Sequence, residues 1–328
     1  PYICMSKDKI TTLNEQILQN SEYVYLDDTF VVKSTKTFIF SNAKRVILKN
    51  FKPNGHIGFE PTILEYLHLE ISNDQFPKLP ISTYEKLKEL YIEFSDKEVG
   101  TRPYDYYRNI TSVSKILETL SLVNFQQEQT KNILIDIYPN LKKLYLSGCN
   151  TKCLIGHNIH NMDIVLEDNT ELDNIILTQP IQGLTIVNCN KINFTTCLFG
   201  TNFLDISGCG NIDLKSINVN EGLKLSNLQL KKLEFDDKSN EKIKYLKLNR
   251  IMSIENIDLA NFRNLEVLVL KDIFSLKQIT GKIPNKIRKL EIRNCDGLLL
   301  NDNYAIINKI IKLIIKNKGN EIYIYSLL

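Results

Sequence analysis

Four side chains able to hold zinc fall within twelve positions: Cys149, Cys153, His157 and His160, spaced C-x3-C-x3-H-x2-H. Thiolate and imidazole are the usual donors of a tetrahedral zinc site. Structural zinc motifs, however, separate their Cys and His pairs by about a dozen residues. Here only three residues lie between them. Cys149 also belongs to a recurring position, described below, that accounts for it without a metal. The expectation is therefore no metal site and no cofactor. No Gly-rich phosphate loop, G-x-S-x-G elbow or H-E-x-x-H segment occurs, and the four His are too scattered for a triad. The sequence reads as that of a protein that is not an enzyme.

The elements that would position these residues come from a repeat. The phrase L-x-x-L-x-L returns as LEYLHL at Leu64–Leu69, LKELYI at Leu87–Ile92, LKKLYL at Leu141–Leu146 and LEVLVL at Leu265–Leu270. The first apolar residue of each x-L-x-L core falls at 24, 46, 67, 90, 120, 144, 164, 184, 204, 223, 246, 268, 290 and 313. The steps are 19 to 24 residues, with one of 30. Alternation within each copy is the period of a short strand with one buried face. A fainter apolar pulse follows 8 to 12 residues later, as in Ile175/Leu177, Ile192/Phe194, Ile212/Leu214 and Leu233/Phe235. It reads as the far side of each coil.

Five residues after the core position comes Cys149, Asn169, Cys189, Cys209 or Cys295, with Phe or Ile in several other coils. Together with the repeat, this resembles the leucine-rich-repeat family, whose consensus is L-x-x-L-x-L-x-x-N/C-x-L. The resemblance covers roughly residues 20 to 318. It implies an α/β solenoid with a curved parallel sheet on a concave face. It also implies that the Asn or Cys points inward to satisfy backbone groups. Such short coils leave room on the convex face only for extended or 3₁₀ segments, so few helices are expected. The domain reading is an N-terminal cap over 1–20 (Ile10, Leu13, Ile17 and Leu18 at near-helical spacing), about fourteen coils over 21–318, and a C-terminal cap over 319–328. The 30-residue step inserts a loop containing Tyr104, Tyr106 and Tyr107. Loops on rigid scaffolds often carry binding residues.

Composition narrows the function. Of the 328 residues 43% are hydrophobic, enough for a sizeable core, and the net charge of +3 imposes no polyanionic partner. No apolar run is long enough to span a bilayer. Seven Cys, four of them in the inward column, read as buried free thiols rather than a disulfide framework. The sequons Asn109-Ile110-Thr111 and Asn193-Phe194-Thr195 lean towards an extracellular setting. The irregular Ile/Asn/Lys-rich coils also resemble secreted leucine-rich-repeat proteins of microsporidia and other AT-rich parasitic eukaryotes, which implies contact with host components. A cytoplasmic adaptor is the alternative.

Within each coil the residues between the buried pair face outward. In the first coils these columns hold Tyr23, Tyr25, Tyr66, His68, Glu70, Glu89, Tyr91 and Glu93. Tyr gives large contact area with little rotamer loss, so this zone and the inserted loop are the expected protein-binding surface. β-propensity alone also enriches Tyr in strands. The later coils present Lys224, Lys247, Lys271, Lys289, Arg293 and Lys316, an alternative basic strip for acidic glycans. Nucleic acid is disfavoured there because stacking aromatics are few. Between the zones the face is small and weakly charged. Edge-to-edge homo-oligomerisation through the last coil is left open.

Overall fold

The structure is a computed structural model that describes residues 2–5, 19–27, 38–50, 57–71, 79, 81–95, 110, 115–126, 132–210, 212–235, 240–282, 284–298, 312–317 and 320–325. The protein is a parallel β-solenoid that divides into two compact units, Pro1–Thr151 and Lys152–Leu328. In the first unit, strands Tyr2–Met5, Tyr23–Asp27, Arg45–Lys49, Tyr66–Ile71, Glu89–Phe94, Thr119–Val123 and Lys143–Ser147 each pair in parallel with the next. In the second, Asp163–Glu167, Ile181–Val187, Gly200–Ser207, Asn218–Gln229, Tyr245–Met252, Val267–Lys271, Lys289–Arg293 and Lys312–Asn317 do the same. The final strand, Asn320–Tyr325, turns back antiparallel on Lys312–Asn317.

All fourteen recurrent core positions lie in these strands. The pairing is in register with the repeat: Leu67 faces Leu90, and Leu246 faces Leu268. Side chains alternate as the sequence period requires, with Leu67, Leu69, Leu246 and Leu248 fully buried. The far side of the coils is built from short pieces. Among the described residues, four 3₁₀ turns (Ile81–Thr83, Ile135–Ile137, Leu214–Ser216 and Asn240–Lys242) lie there beside strands such as Cys153–Gly156 and Asn174–Leu177, which pair in parallel. Ile175, Leu177, Ile192, Phe194, Leu214 and Phe235 of the second apolar pulse are buried, whereas Ile212 and Leu233 are half-exposed. Almost no helix is present among the described residues. The expected N-terminal capping helix and the loop carrying Tyr104, Tyr106 and Tyr107 lie outside them.

The corner that ends each strand has a conformation the sequence did not announce. Four residues after the core position, Asn50, Asn124, Asp168, Asn188, Asn227, Arg250, Asp272 and Asn294, with Gly148 and Gly208, all have φ between 49° and 61°. This left-handed region suits Gly and tolerates Asn and Asp, whose short polar side chains bond locally. At Asn50, Asn124, Asp168, Asn188, Gly208 and Asp272 the twist aims the corner's N–H at the next coil. Asp168 donates to the Val187 carbonyl at 3.0 Å, Asn188 to Ser207 at 2.9 Å and Asp272 to Arg293 at 2.9 Å. Corner side chains are joined as well, Asn188 Nδ2 to Asp168 Oδ1 at 3.0 Å and Asn294 Nδ2 to Asp272 Oδ1 at 2.7 Å.

The residue after the corner points inward. Cys149 donates its thiol to the carbonyls of Leu122 (3.3 Å) and Ser147 (3.4 Å). Cys189 does so to Leu166 and Val187, and Cys209 to Ile186 and Ser207. Asn169 fills the same place and is fully buried. At Leu228 and Ile251, where the position is apolar, the backbone ladder itself continues past the corner: Leu228 pairs with Ile251 and Gln229 with Met252. Those coils need no thiol because their carbonyls stay in the sheet. An Asn188→Val variant, which puts a β-branched residue at a left-handed φ, is expected to lose about 1–2 kcal/mol in urea unfolding. Asn188→Gly is expected to stay within about 0.5 kcal/mol of wild type; equal losses for both would show that the corner is not strained.

Candidate recognition surface

The four residues of the C-x3-C-x3-H-x2-H cluster are placed in different surroundings. Cys149 is buried and engaged with two carbonyls, Cys153 is half-exposed in a far-side strand, and His157 and His160 are exposed. Among the described residues no group of three or more His, Cys, Asp or Glu could hold a metal ion. The six cysteines whose side chains are described are all free. Burial pushes the Cys189 thiol up to about 12 and the Cys197 and Cys295 thiols up to about 11. Those thiols are poor nucleophiles at neutral pH. The sequon residue Asn193 is exposed, and its Oδ1 accepts from the Thr195 hydroxyl at 2.6 Å; Asn109 lies outside the described residues.

In the first unit the outward columns assemble as the repeat dictates. Tyr23, Arg45, Tyr66 and Glu89 are successive register partners, as are Tyr25, Ile47, His68 and Tyr91, and Asp27, Lys49, Glu70 and Glu93. Parallel in-register stacking brings the rings together. Tyr66 and Tyr91 have centroids 5.2 Å apart and tilted by 37°, and His68 lies 5.7 Å from Tyr91. The Arg45 guanidinium sits 4.2 Å from the Tyr66 ring centroid, a cation–π contact. Lys49 pairs with Glu70 at 3.1 Å, and the Tyr91 hydroxyl donates to Glu89 at 3.1 Å. Tyr23 stands at the margin, 38% exposed. Arg45 and Lys49 stand in the same columns as the aromatic and acidic residues, a placement that the repeat register alone gives.

Electrostatics keep the cluster neutral at its centre. Burial raises the Tyr66 hydroxyl, opposed by Arg45, and burial with the Glu89 hydrogen bond pushes Tyr91 up to about 12. Burial lowers His68, opposed by Glu93 and Glu70, so the imidazole is uncharged at neutral pH. The face therefore offers polarisable rings and hydroxyl donors, edged by carboxylates. Glu93 makes no ion pair among the described residues. A cleft of about 450 Å³ also exists in this unit, lined by Glu65, Lys88, Glu118 and Lys142 among others. Its charges answer one another, Lys88 to Glu65 and Lys142 to Glu118, so it has no obvious appetite for a ligand.

In the second unit the basic strip is organised around one acid. Glu291, only 5% exposed, lies 2.9 Å from Lys271, 3.0 Å from Lys289 and 2.7 Å from Arg293. The Arg293 Nε and Glu291 Oε1 lack hydrogen-bond angles, so that contact is Coulombic. Lys224 is paired with Asp205, and Lys247 makes no ion pair among the described residues. Lys316 lies in the last parallel strand. The strip keeps an excess of positive charge, but most of its cations are already spoken for. Between the zones, Phe203 interrupts the expected small face: it is 45% exposed and packs over Gly222, where a Cβ would come within 2.6 Å of its ring.

Comparison with protein-family models found no matching family, and comparison with curated proteins found no match. Among the described residues no helix is long and apolar enough to cross a membrane.

Glu291 makes a pH prediction. Burial alone raises its pKa, but the paired lysines outweigh this and hold the carboxyl at about 2, against an ordinary 4.5. A folded-state pKa below the unfolded one stabilises the protein fully above about 4.5 and ceases to do so as pH falls through about 2. Glu291→Gln is thus expected to be less stable than wild type at pH 7, with the gap closing between pH 4.5 and 2 in denaturant titrations. A gap that does not depend on pH would show that the cations do not hold this carboxylate.

Proposed function

We propose that the protein is a non-enzymatic recognition module of leucine-rich-repeat type, which grips a protein partner through the outward face of its first unit. The observation that carries this reading is the Tyr66–Tyr91–His68 cluster with Arg45 stacked on it. Partly exposed tyrosines held by their neighbours are pre-organised, so a partner gains contact area without the cost of ordering long side chains. Tyr hydroxyls that stay protonated remain hydrogen-bond donors across the physiological range. In the proposed geometry this face is the concave one, where the coils present a rigid array. A secreted protein that meets host components is the setting proposed on the resemblance of its coils.

The second reading is a polyanion binder using the basic strip, favoured by the excess of cations over carboxylates there. Glu291 weighs against it, because three of those cations already share one buried carboxylate. Salt separates the two, since counterion release makes polyanion binding fall steeply with ionic strength. Captured from host-cell or same-organism extract, the partner should stay on the wild-type chain through a high-salt wash. It should be lost at least tenfold from Tyr66→Ala/Tyr91→Ala. Retention by that variant, or release of the material by salt alone, would refute the aromatic face as the contact surface.

A further inference from the structure

We infer that the occupant of this face is an arginine side chain of the partner, seated on the Tyr91 ring between Glu89 and Glu93. The inference rests on the recognition reading above and names the chemistry that reading leaves open.

Three observations carry it. Glu89, Tyr91 and Glu93 alternate along one strand, Glu89–Phe94, and so share its outward face. The strand rise puts the Cα of each glutamate about 6.7 Å along the strand from that of the tyrosine, and the Glu89 carboxylate leans back to the Tyr91 hydroxyl at 3.1 Å. A planar guanidinium lying on the ring would reach both, since its donors point outward in the ring plane while its faces are free to stack.

The molecule already makes the stacking half of this contact one strand away. Arg45 lies on Tyr66, its partner in register, at 4.2 Å from the ring centroid. Tyr91 belongs to the same ring cluster but has no such cation of its own among the described residues.

Charge complementarity points the same way. The nearby cations are committed: Arg45 to the Tyr66 ring and Lys49 to Glu70. Glu89 accepts from the Tyr91 hydroxyl, and neither Glu89 nor Glu93 has an ion pair among the described residues. The next strand in register presents Thr119, Ser121 and Val123 beside Glu89, Tyr91 and Glu93, so it brings no cation to compete. His68, held neutral by burial, brings none either. An aromatic face edged by two carboxylates without an ion pair among the described residues fits a cation that can stack, which among protein side chains favours Arg over Lys.

The test uses the full chain labelled with 3-fluorotyrosine, with the Tyr91 resonance assigned by its disappearance in Tyr91→Phe. The probes are N-acetyl-arginine methylamide and its citrulline counterpart, which has nearly the same shape without the charge. The arginine probe should shift the Tyr91 resonance saturably, at least tenfold more tightly than citrulline. Glu89→Gln/Glu93→Gln should weaken it at least tenfold, and Glu65→Gln, which lies off this face, should leave it within twofold. Equal response to both probes, or a Tyr91 resonance that neither moves, overturns the inference. If the arginine probe fails while partner capture still depends on Tyr66 and Tyr91, the recognition face stands and the arginine occupant is wrong. If the probe binds as described while capture ignores Tyr91, the seat stands and the recognition reading fails.

Discussion

Each coil must turn out of its strand without stranding a carbonyl in the core, and the corner that manages this governs the rest of the fold. A left-handed residue lets the chain bend sharply while its N–H still reaches the next coil, as Asp168 does to Val187 and Asn188 to Ser207. The following residue then drops inward. As a thiol, in Cys149, Cys189 or Cys209, it bonds carbonyls of its own and the preceding strand. As an apolar group, in Leu228 or Ile251, it leaves the job to an extended backbone ladder. Both solutions satisfy buried polar groups whose neglect would cost about 1–3 kcal/mol each.

Because every corner returns the chain to the same register, outward columns follow automatically. Residues 20 or more apart in sequence become neighbours across one strand spacing, which is how Arg45 reaches Tyr66 and Tyr66 reaches Tyr91. The face is therefore set by sequence one coil at a time, on a core register that repeats from coil to coil. The two ends of the repeat use this differently. The first unit stacks rings and leaves Glu89 and Glu93 without an ion pair among the described residues, whereas the second gathers Lys271, Lys289 and Arg293 onto Glu291. An aromatic, acid-edged face and a strip of cations gathered on one carboxylate can thus arise from one strand pattern.

Much of this was legible because period-two alternation and a steady interval both report on backbone geometry. The x-L-x-L cores located every strand of the repeat, and the outward columns came out in the register read from them. The corner conformation was harder to see. Asn and Asp are common in this chain, and a left-handed φ leaves only a weak compositional trace, blurred further by Arg250 at the same position. Aligning the fourth residue after each core would have exposed it. Contacts such as Arg45 on Tyr66 depend on rotamers, so the sequence could place the two side by side without telling that one lies over the other. Nor could it foresee that Glu291 would take three cations, because two come from its own strand and one from the neighbour.

The central claim is that the aromatic and acidic face of the first unit is the surface a partner covers. Hydroxyl-radical footprinting of the full chain, alone and with bound partner, tests it most directly. Selective protection of Tyr66 and Tyr91, with oxidation of the exposed Phe274 and Met252 unchanged, is the predicted pattern. Unchanged oxidation of Tyr66 and Tyr91 in the bound state, with protection elsewhere on the chain, would contradict it.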